Sequence, residues 1–411
     1  MLTAVRPVRS LLLAIFMLMA GGGFMSTLVG VRLEAEGRSP LLIGAVATAY
    51  FAGLALGSLR VSRVIERVGH IRAFAAFVAL LSASTLSYAV YENVALWGVL
   101  RFVDGLCVAG VYVCLESWLN DRAERETRGA VLAGYMVALY AGQSLGQLLL
   151  NLSDAKPSMP FVVASILITL AILPVALTRT ASPPLGEHAP LAVRRLYAIS
   201  PLGVVGAGLT GLMLGGFYGL GAVYVRRLGL DVAATSLFMS MVIAGGVALQ
   251  WPLGRLSDRF DRRWVIVGAL TGALMISLAI GIIAPTGVGL LVLGALFGGL
   301  SFALYPLCVA HTHDHLAADQ RVAASGGLVL VYSAGAAAGP LGAASAMAWL
   351  GPKGLFLFIA SCALGGVGFA LWRVGARSPV PHERQQAYLA FPQTTPMSAT
   401  LDPLASGEDE G

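Results

Sequence analysis

The sequence predicts an all-α polytopic membrane protein, twelve transmembrane helices in two pseudo-symmetric six-helix bundles, and three observations predict it. Of 411 residues, 57% are hydrophobic and 12% charged, whereas an ordinary soluble domain carries roughly 25% charged residues. The apolar residues gather into runs close to the length of about 20 that a helix needs to cross a bilayer. A shift of 192 residues lays Asp258 and Arg259 on Glu66 and Arg67, Leu256 on Val64, Gly245 on Gly53, and Tyr332 on Tyr140. The chain therefore reads as two copies of one unit.

The elements follow in order. Arg6 and Arg9, the apolar run from Leu11 to Ala20, and Gly21, Gly22 and Gly23 have the outline of a secretory signal. The run continues to about Leu33, long enough to span, and is read as the first helix. Further apolar segments lie at about 40 to 60, 71 to 91, 94 to 118, 129 to 150 and 158 to 178. A second set follows at about 198 to 225, 232 to 253, 264 to 284, 287 to 310, 322 to 350 and 354 to 373. Residues 1–178 are thus the N-terminal bundle, 179–197 a cytoplasmic linker with Pro183, Pro184 and Pro190, and 198–375 the C-terminal bundle. Residues 376–411, rich in proline and ending in acidic residues, are expected to be a disordered, solvated cytoplasmic tail.

Arginine and lysine set the orientation. Of 27, 20 fall on one side if the N-terminus is inside, 6 on the other, and Arg101 lies within a helix. Both termini are expected in the cytoplasm, with the protein in the inner membrane. The net charge of +6 is explained by this placement, so nucleic acid is not an expected partner. Cys107, Cys114, Cys308 and Cys362 sit inside apolar runs without metal-ligand spacing and read as small core residues.

The segment Gly254 to Arg263 packs six charges between two apolar runs, and Glu66 and Arg67 mark its fainter double. This repeated hairpin resembles the loop between the second and third helices of each half of a major facilitator superfamily transporter. The family pattern runs Gly, any, Leu, any, Asp, Arg, any, Gly, then basic residues; here Asp261 stands in place of the second glycine. The resemblance implies that Asp258 and Arg259, with Glu66 and Arg67, form cytoplasmic gating loops that break contact when the halves rock. Gly326, Gly335, Gly339 and Pro340 match a second motif of the family in helix 11, echoed by Gly134, Gly142 and Gly146 in helix 5. Glycines at such spacing let a partner helix approach closely. Gly206, Gly208 and Gly211 imitate a dinucleotide fingerprint but lie inside a spanning run with no preceding strand. No cofactor is expected.

Helix 4 holds Asp104, the one carboxylate deep in a spanning segment, with Arg101 three residues before it. Counted from Val94, Arg101 lies roughly 10 Å and Asp104 about 15 Å into the membrane. A charge there costs on the order of 3 kcal/mol and usually faces a bundle interior or cavity. Arg101 and Gly105 also match the family's motif in this helix, which implies a role in proton coupling or substrate binding for the pair. A structural pair that fixes helix packing is the alternative. Gln143, Gln147 and Gln250 are candidate groups of a substrate cavity or of helix contacts.

Glu116 and Asn120 end helix 4, and His311 and Asp314 end helix 10 at the equivalent place. These strings, with those around Gly146 and Gly327, are similar to the YcaD-like branch of the superfamily, over about residues 10 to 375. His311, His313 and His315 alternate in a polar helix end, and no metal is expected.

The resemblance and the buried pair together imply a secondary active transporter working by alternating access on a small solute, with protons as a possible second partner and export favoured over uptake. Its surroundings are the lipid bilayer, and a monomer is expected. The competing class is a non-transporting sensor or binding protein of the same fold. No nucleophile, base and orienter converge, so an enzyme is not expected.

Overall fold

The computed structural model describes residues 6–124, 126–178, 183, 190–376, 381 and 385–395. The expected linker lies largely outside these residues, as do 396–411, including Glu408, Asp409 and Glu410. Among the described residues, twelve long helices are arranged as two sets of six, with a short helix, Val193–Ile199, leading into the second set. In the first half they are α1 (Arg9–Ala35), α2 (Pro40–Val68), α3 (His70–Val90), α4 (Val94–Arg122), α5 (Arg128–Gln147) and α6 (Met159–Ala176). In the second they are α7 (Pro201–Arg227), α8 (Val232–Arg259), α9 (Arg262–Ile283), α10 (Gly287–His313), α11 (Ala318–Leu350) and α12 (Gly354–Ala376). Eleven are long and apolar enough to cross a membrane. The exception, α5, carries Tyr135, Tyr140, Gln143, Ser144 and Gln147. Much of its surface meets protein and a cavity, so it does not need a wholly apolar surface.

Helix starts are set by ordinary capping. Ser39, Asn93, Ser200, Asp231 and Asp261 each accept a backbone N–H from the first turn of α2, α4, α7, α8 and α9. Several helices outrun their apolar segments. Glu66 and Arg67 lie in the last turn of α2, and Asp258 and Arg259 in that of α8, so the expected loops are helix ends. Gly69, at φ 84°, alone turns the chain from α2 into α3, a conformation that suits a residue without Cβ.

Each half pairs its helices in the same way. Gly53 faces the Phe102 carbonyl and Gly105 that of Tyr50, so tightly that a Cβ at either would overlap the α2–α4 backbone contact. Gly245 and Gly298 do the same between α8 and α10 against Ala295 and Val242. Between α7 and α11, Gly211 meets Tyr332, Gly215 meets Ala336, Gly335 meets Gly208 and Gly339 meets Leu212. The glycines of the false dinucleotide pattern thus serve helix packing. Gly326 is buried on α11, and Pro340 of the same helix reaches α2 at Gly44 and α7 at Gly219. Exposed Trp251, Trp264, Trp349 and Trp372 sit toward the helix ends, where an aromatic belt meets the bilayer surface.

The described N-terminal end, where the Pro7 carbonyl accepts from Arg122 at the end of α4, marks one face, here called the terminal face; the other is the far face. Hydrogen bonds joining helices of the two bundles cluster toward the far face. Thr48 donates to the Ala337 carbonyl at 2.9 Å, Ser144 bonds Ser240 at 2.9 Å, and Ser236 donates to Asn151 at 3.3 Å. Arg227 pairs with Glu34 through Nε and Nη2, at 2.8 and 2.9 Å.

Toward the terminal face a different element fills the gap. The sequence leads one to expect a solvated tail after residue 375, yet residues 385–395 run, without helix or strand, between the bundles. Phe391 is 5% exposed and Thr395 is fully buried. Composition favours disorder for an isolated proline-rich segment, and here polar partners on the helix ends supply what the segment itself lacks.

Candidate functional site

A central cavity of about 1010 Å³ of atom-free space, counting its mouth, lies between the bundles. Its wall is lopsided. Helices α1 to α5 contribute most of it, and the second bundle contributes Tyr218 and Tyr332. Five tyrosines, Tyr50, Tyr112, Tyr140, Tyr218 and Tyr332, line it together with Gln143 and Arg101. Tyr140 and Tyr332, aligned by the 192-residue repeat, thus meet on the same cavity from opposite halves.

Arg101 is 2% exposed yet borders this cavity. Gly105 lets α4 press on α2, which puts the guanidinium 4.3 Å from the centre of the Tyr50 ring. Nη2 donates to the Ser26 hydroxyl at 2.6 Å, and Nη1 stands 3.6 Å from Asp104 Oδ2. Asp104 itself does not line the cavity. It points to α3, where the Tyr88 hydroxyl donates to Oδ2 at 2.7 Å and Ser84 stands beside it. Tyr88 is held by Phe161, stacked at 5.7 Å, and by Trp97. The pair is therefore layered, the cation toward the cavity and the carboxylate behind it.

The three glutamines separate. Gln143 borders the cavity. Gln147 is fully buried and donates at 3.5 Å to the Gly23 carbonyl, where α1 breaks between its segments Arg9–Gly22 and Met25–Ala35. Breaking a helix frees backbone groups that need a partner within the membrane. Gln250, 5% exposed, stands beside the Tyr140 hydroxyl.

At the mouth, Arg262 joins four elements. Nη1 donates to Asp314 at 2.7 Å, and Nη2 to Asp258 at 3.3 Å and to the Gln386 carbonyl at 2.7 Å. Asp314 accepts the Gln386 N–H at 2.9 Å, and Asp258 that of Tyr388 at 2.8 Å. The Tyr388 ring lies on Gly254, the first glycine of the hairpin motif, where any side chain would collide with it. Burial raises the Asp314 carboxyl above the usual range despite Arg262, and burial likewise raises the Tyr388 phenol. Asp261 is shifted the other way. Burial would raise it, but hydrogen bonds from the Arg263 side chain and backbone outweigh that and leave it lowered.

Across the gap, Glu116 is fully buried and accepts the Tyr135 hydroxyl at 2.7 Å as well as the hydroxyls of Thr394 and Thr395. Asn120, one turn on, accepts the Ala123 N–H. Phe391 packs on His313, whose Nε2 bonds the Ser325 hydroxyl at 2.9 Å, while the His311 carbonyl bonds His315. Among the described residues no three His, Cys, Asp or Glu side chains gather as metal ligands. Glu66, Arg67 and Arg259 are exposed at their helix ends.

Sequence reasoning did not single out Ser26, Tyr50, Tyr88, Glu34, Arg227 or the tail threonines. Only Tyr50 had a local signal, an aromatic residue within a run of small ones. The others are defined by partners far away in the chain.

The Major Facilitator Superfamily model matches residues 11–286 and 203–401. The "Uncharacterized MFS-type transporter YcaD" of Shigella flexneri serotype 5b is 31% identical over 366 residues, 88% of this chain and 94% of the relative; that of Escherichia coli O6:K15:H31 gives the same values. Among solved structures, the nucleoside transporter NupG aligns with a TM-score of 0.74 at 12% identity, covering 89% of this chain and 98% of its own. A bacterial homolog of the human lysosomal transporter Spinster, in an inward-facing and occupied conformation, aligns at 0.72 with 15% identity, covering 93% and 98%. With twelve helices in two matching sets around one central cavity, and a relative this similar along most of its length, the chain belongs to the Major Facilitator Superfamily and is a membrane transporter.

Proposed function

We propose that the protein is a secondary active transporter of the inner membrane that moves a small solute by alternating access, with its terminal face in the cytoplasm. The supporting observation is the layout of contacts. Bonds between the bundles cluster toward the far face, and the cavity extends toward the terminal face, as an inward-facing state requires. The solute class follows from the walls. Tyrosine rings and hydroxyls with a single cavity-facing guanidinium suit a small, weakly polar or lipophilic molecule, a monoanion included.

Arg101 contacts the solute in this reading, and Asp104 holds the arginine until a proton takes its charge. Exchange of partners between Asp104, Arg101 and the solute would couple solute movement to protons, and export is the favoured direction. Solutes that raise the melting temperature in a metabolite and drug screen supply the substrates for transport. In proteoliposomes with an imposed proton gradient, wild type should accumulate such a solute, while Asp104→Asn should exchange it downhill without accumulating it. Gradient-driven accumulation by folded Asp104→Asn protein would remove this residue from coupling.

A further inference from the structure

We infer that the terminal-face mouth is a peptide-binding site whose ligand is residues 385–395 of this chain, held reversibly as a plug over the central cavity. The segment bonds both bundles. Backbone groups of Gln386 and Tyr388 meet Arg262, Asp314 and Asp258 of the second, and the hydroxyls of Thr394 and Thr395 meet Glu116 of the first. Between these anchors Phe391 is buried against His313, and Pro392, Gln393 and Thr394 form part of the cavity wall.

The site reads a peptide in three ways. Two carboxylates and a guanidinium take main-chain N–H and C=O groups, which any sequence offers. A bare glycine surface at Gly254 takes an aromatic ring, and a buried carboxylate takes two adjacent hydroxyls. These latter two make the mouth selective. Apolar anchorage comes from the buried Phe391 ring and from Tyr388, Leu389 and Ala390, each only partly buried against the helices, so release hands most of the polar bonds to water.

The effect on turnover rests on the alternating-access reading; occupancy of the site does not. If the bundles close on the terminal face, the space now holding 385–395 disappears, so the segment must leave in every cycle. Bound, it both covers the cavity and wedges the bundles apart.

Cysteine labelling tests occupancy without any transport assay. Leu54→Cys places a thiol on the cavity wall, and its reaction with a membrane-impermeant maleimide from the terminal face is measured above the native-cysteine background. Ending the chain at Ala376 should accelerate labelling about tenfold, the factor that about 1.4 kcal/mol of lost occlusion yields. A synthetic 385–395 peptide added to the shortened protein should slow labelling again, and a scrambled peptide should not. In the full chain, Thr394→Val with Thr395→Val should give a rate between the two. Equal labelling of full and shortened protein, or equal action by the scrambled peptide, overturns the proposal. If the shortened chain does not fold, the double threonine variant decides, and wild-type labelling by that variant overturns it.

Discussion

Nε and Nη2 of Arg227 each donate to one oxygen of Glu34, at 2.8 and 2.9 Å, across the boundary between the bundles. Two parallel bonds between planar groups fix orientation as well as distance. The charged fastener of this state therefore lies on the far face, whereas Asp258, expected from its motif to act as a latch, holds Arg262 and the Tyr388 N–H.

Glu34→Gln should weaken far-face closure. Both side chains keep partial exposure, 24% and 18%, so the pair contributes about 1 kcal/mol, a roughly fivefold shift in population. Spin labels at Ala35 and Ala233 would report it as a longer-distance component in the variant. An unchanged distance distribution would mean that the pair does not govern closure.

The layered pair in α4 predicts an asymmetric double-mutant cycle. Arg101→Ala strands the Asp104 carboxylate in a site 2% exposed, a loss of about 3–5 kcal/mol. Asp104→Asn keeps an acceptor for Tyr88 and leaves Arg101 its contacts with Ser26 and Tyr50, so it should cost less. Combining Arg101→Ala with Asp104→Asn should recover part of the first loss in thermal unfolding. Simple additivity would show that the two groups are not coupled.

Asp261 caps α9, accepting the Arg263 N–H at 3.0 Å and its guanidinium at 2.7 Å. Asp261→Ala should lower stability by about 1 kcal/mol at neutral pH. Because folding lowers this carboxyl's pKa, its contribution is present above the ordinary aspartate value of about 3.9 and is lost as pH falls through the lower folded value. Melting curves of wild type and variant should therefore converge in acid. A gap that stays constant down to pH 3 would assign the effect to helix propensity alone.

Fold was legible because its signals are periodic and repeated. Apolar runs locate the helices, and the 192-residue offset exposes the duplication. The glycines of α11 also announce their use, since a close helix crossing demands small residues at fixed spacing. Helix ends were less legible, because charged residues such as Arg63 and Arg255 continue a helix past its apolar run. Arg101 and Asp104 were recognisable from depth alone, but their layering depends on Tyr88 and Ser26, which nothing in α4 reveals. The tail was read by composition, and composition describes a segment in water. Its contacts lie with residues such as Glu116, 278 and 279 positions from Thr394 and Thr395, and no local pattern encodes them.

The far-face seam is made from hydroxyls resting on carbonyls, as in Thr48 on Ala337 and Ser144 on Ser240, and from small residues such as Gly30 and Gly219. Each of these bonds has an enthalpically similar substitute in a single water molecule. As the seam parts, it can hydrate bond by bond from the aqueous side inward, so separation need not strand polar groups at once. An interlocked leucine seam would offer incoming water no such footholds.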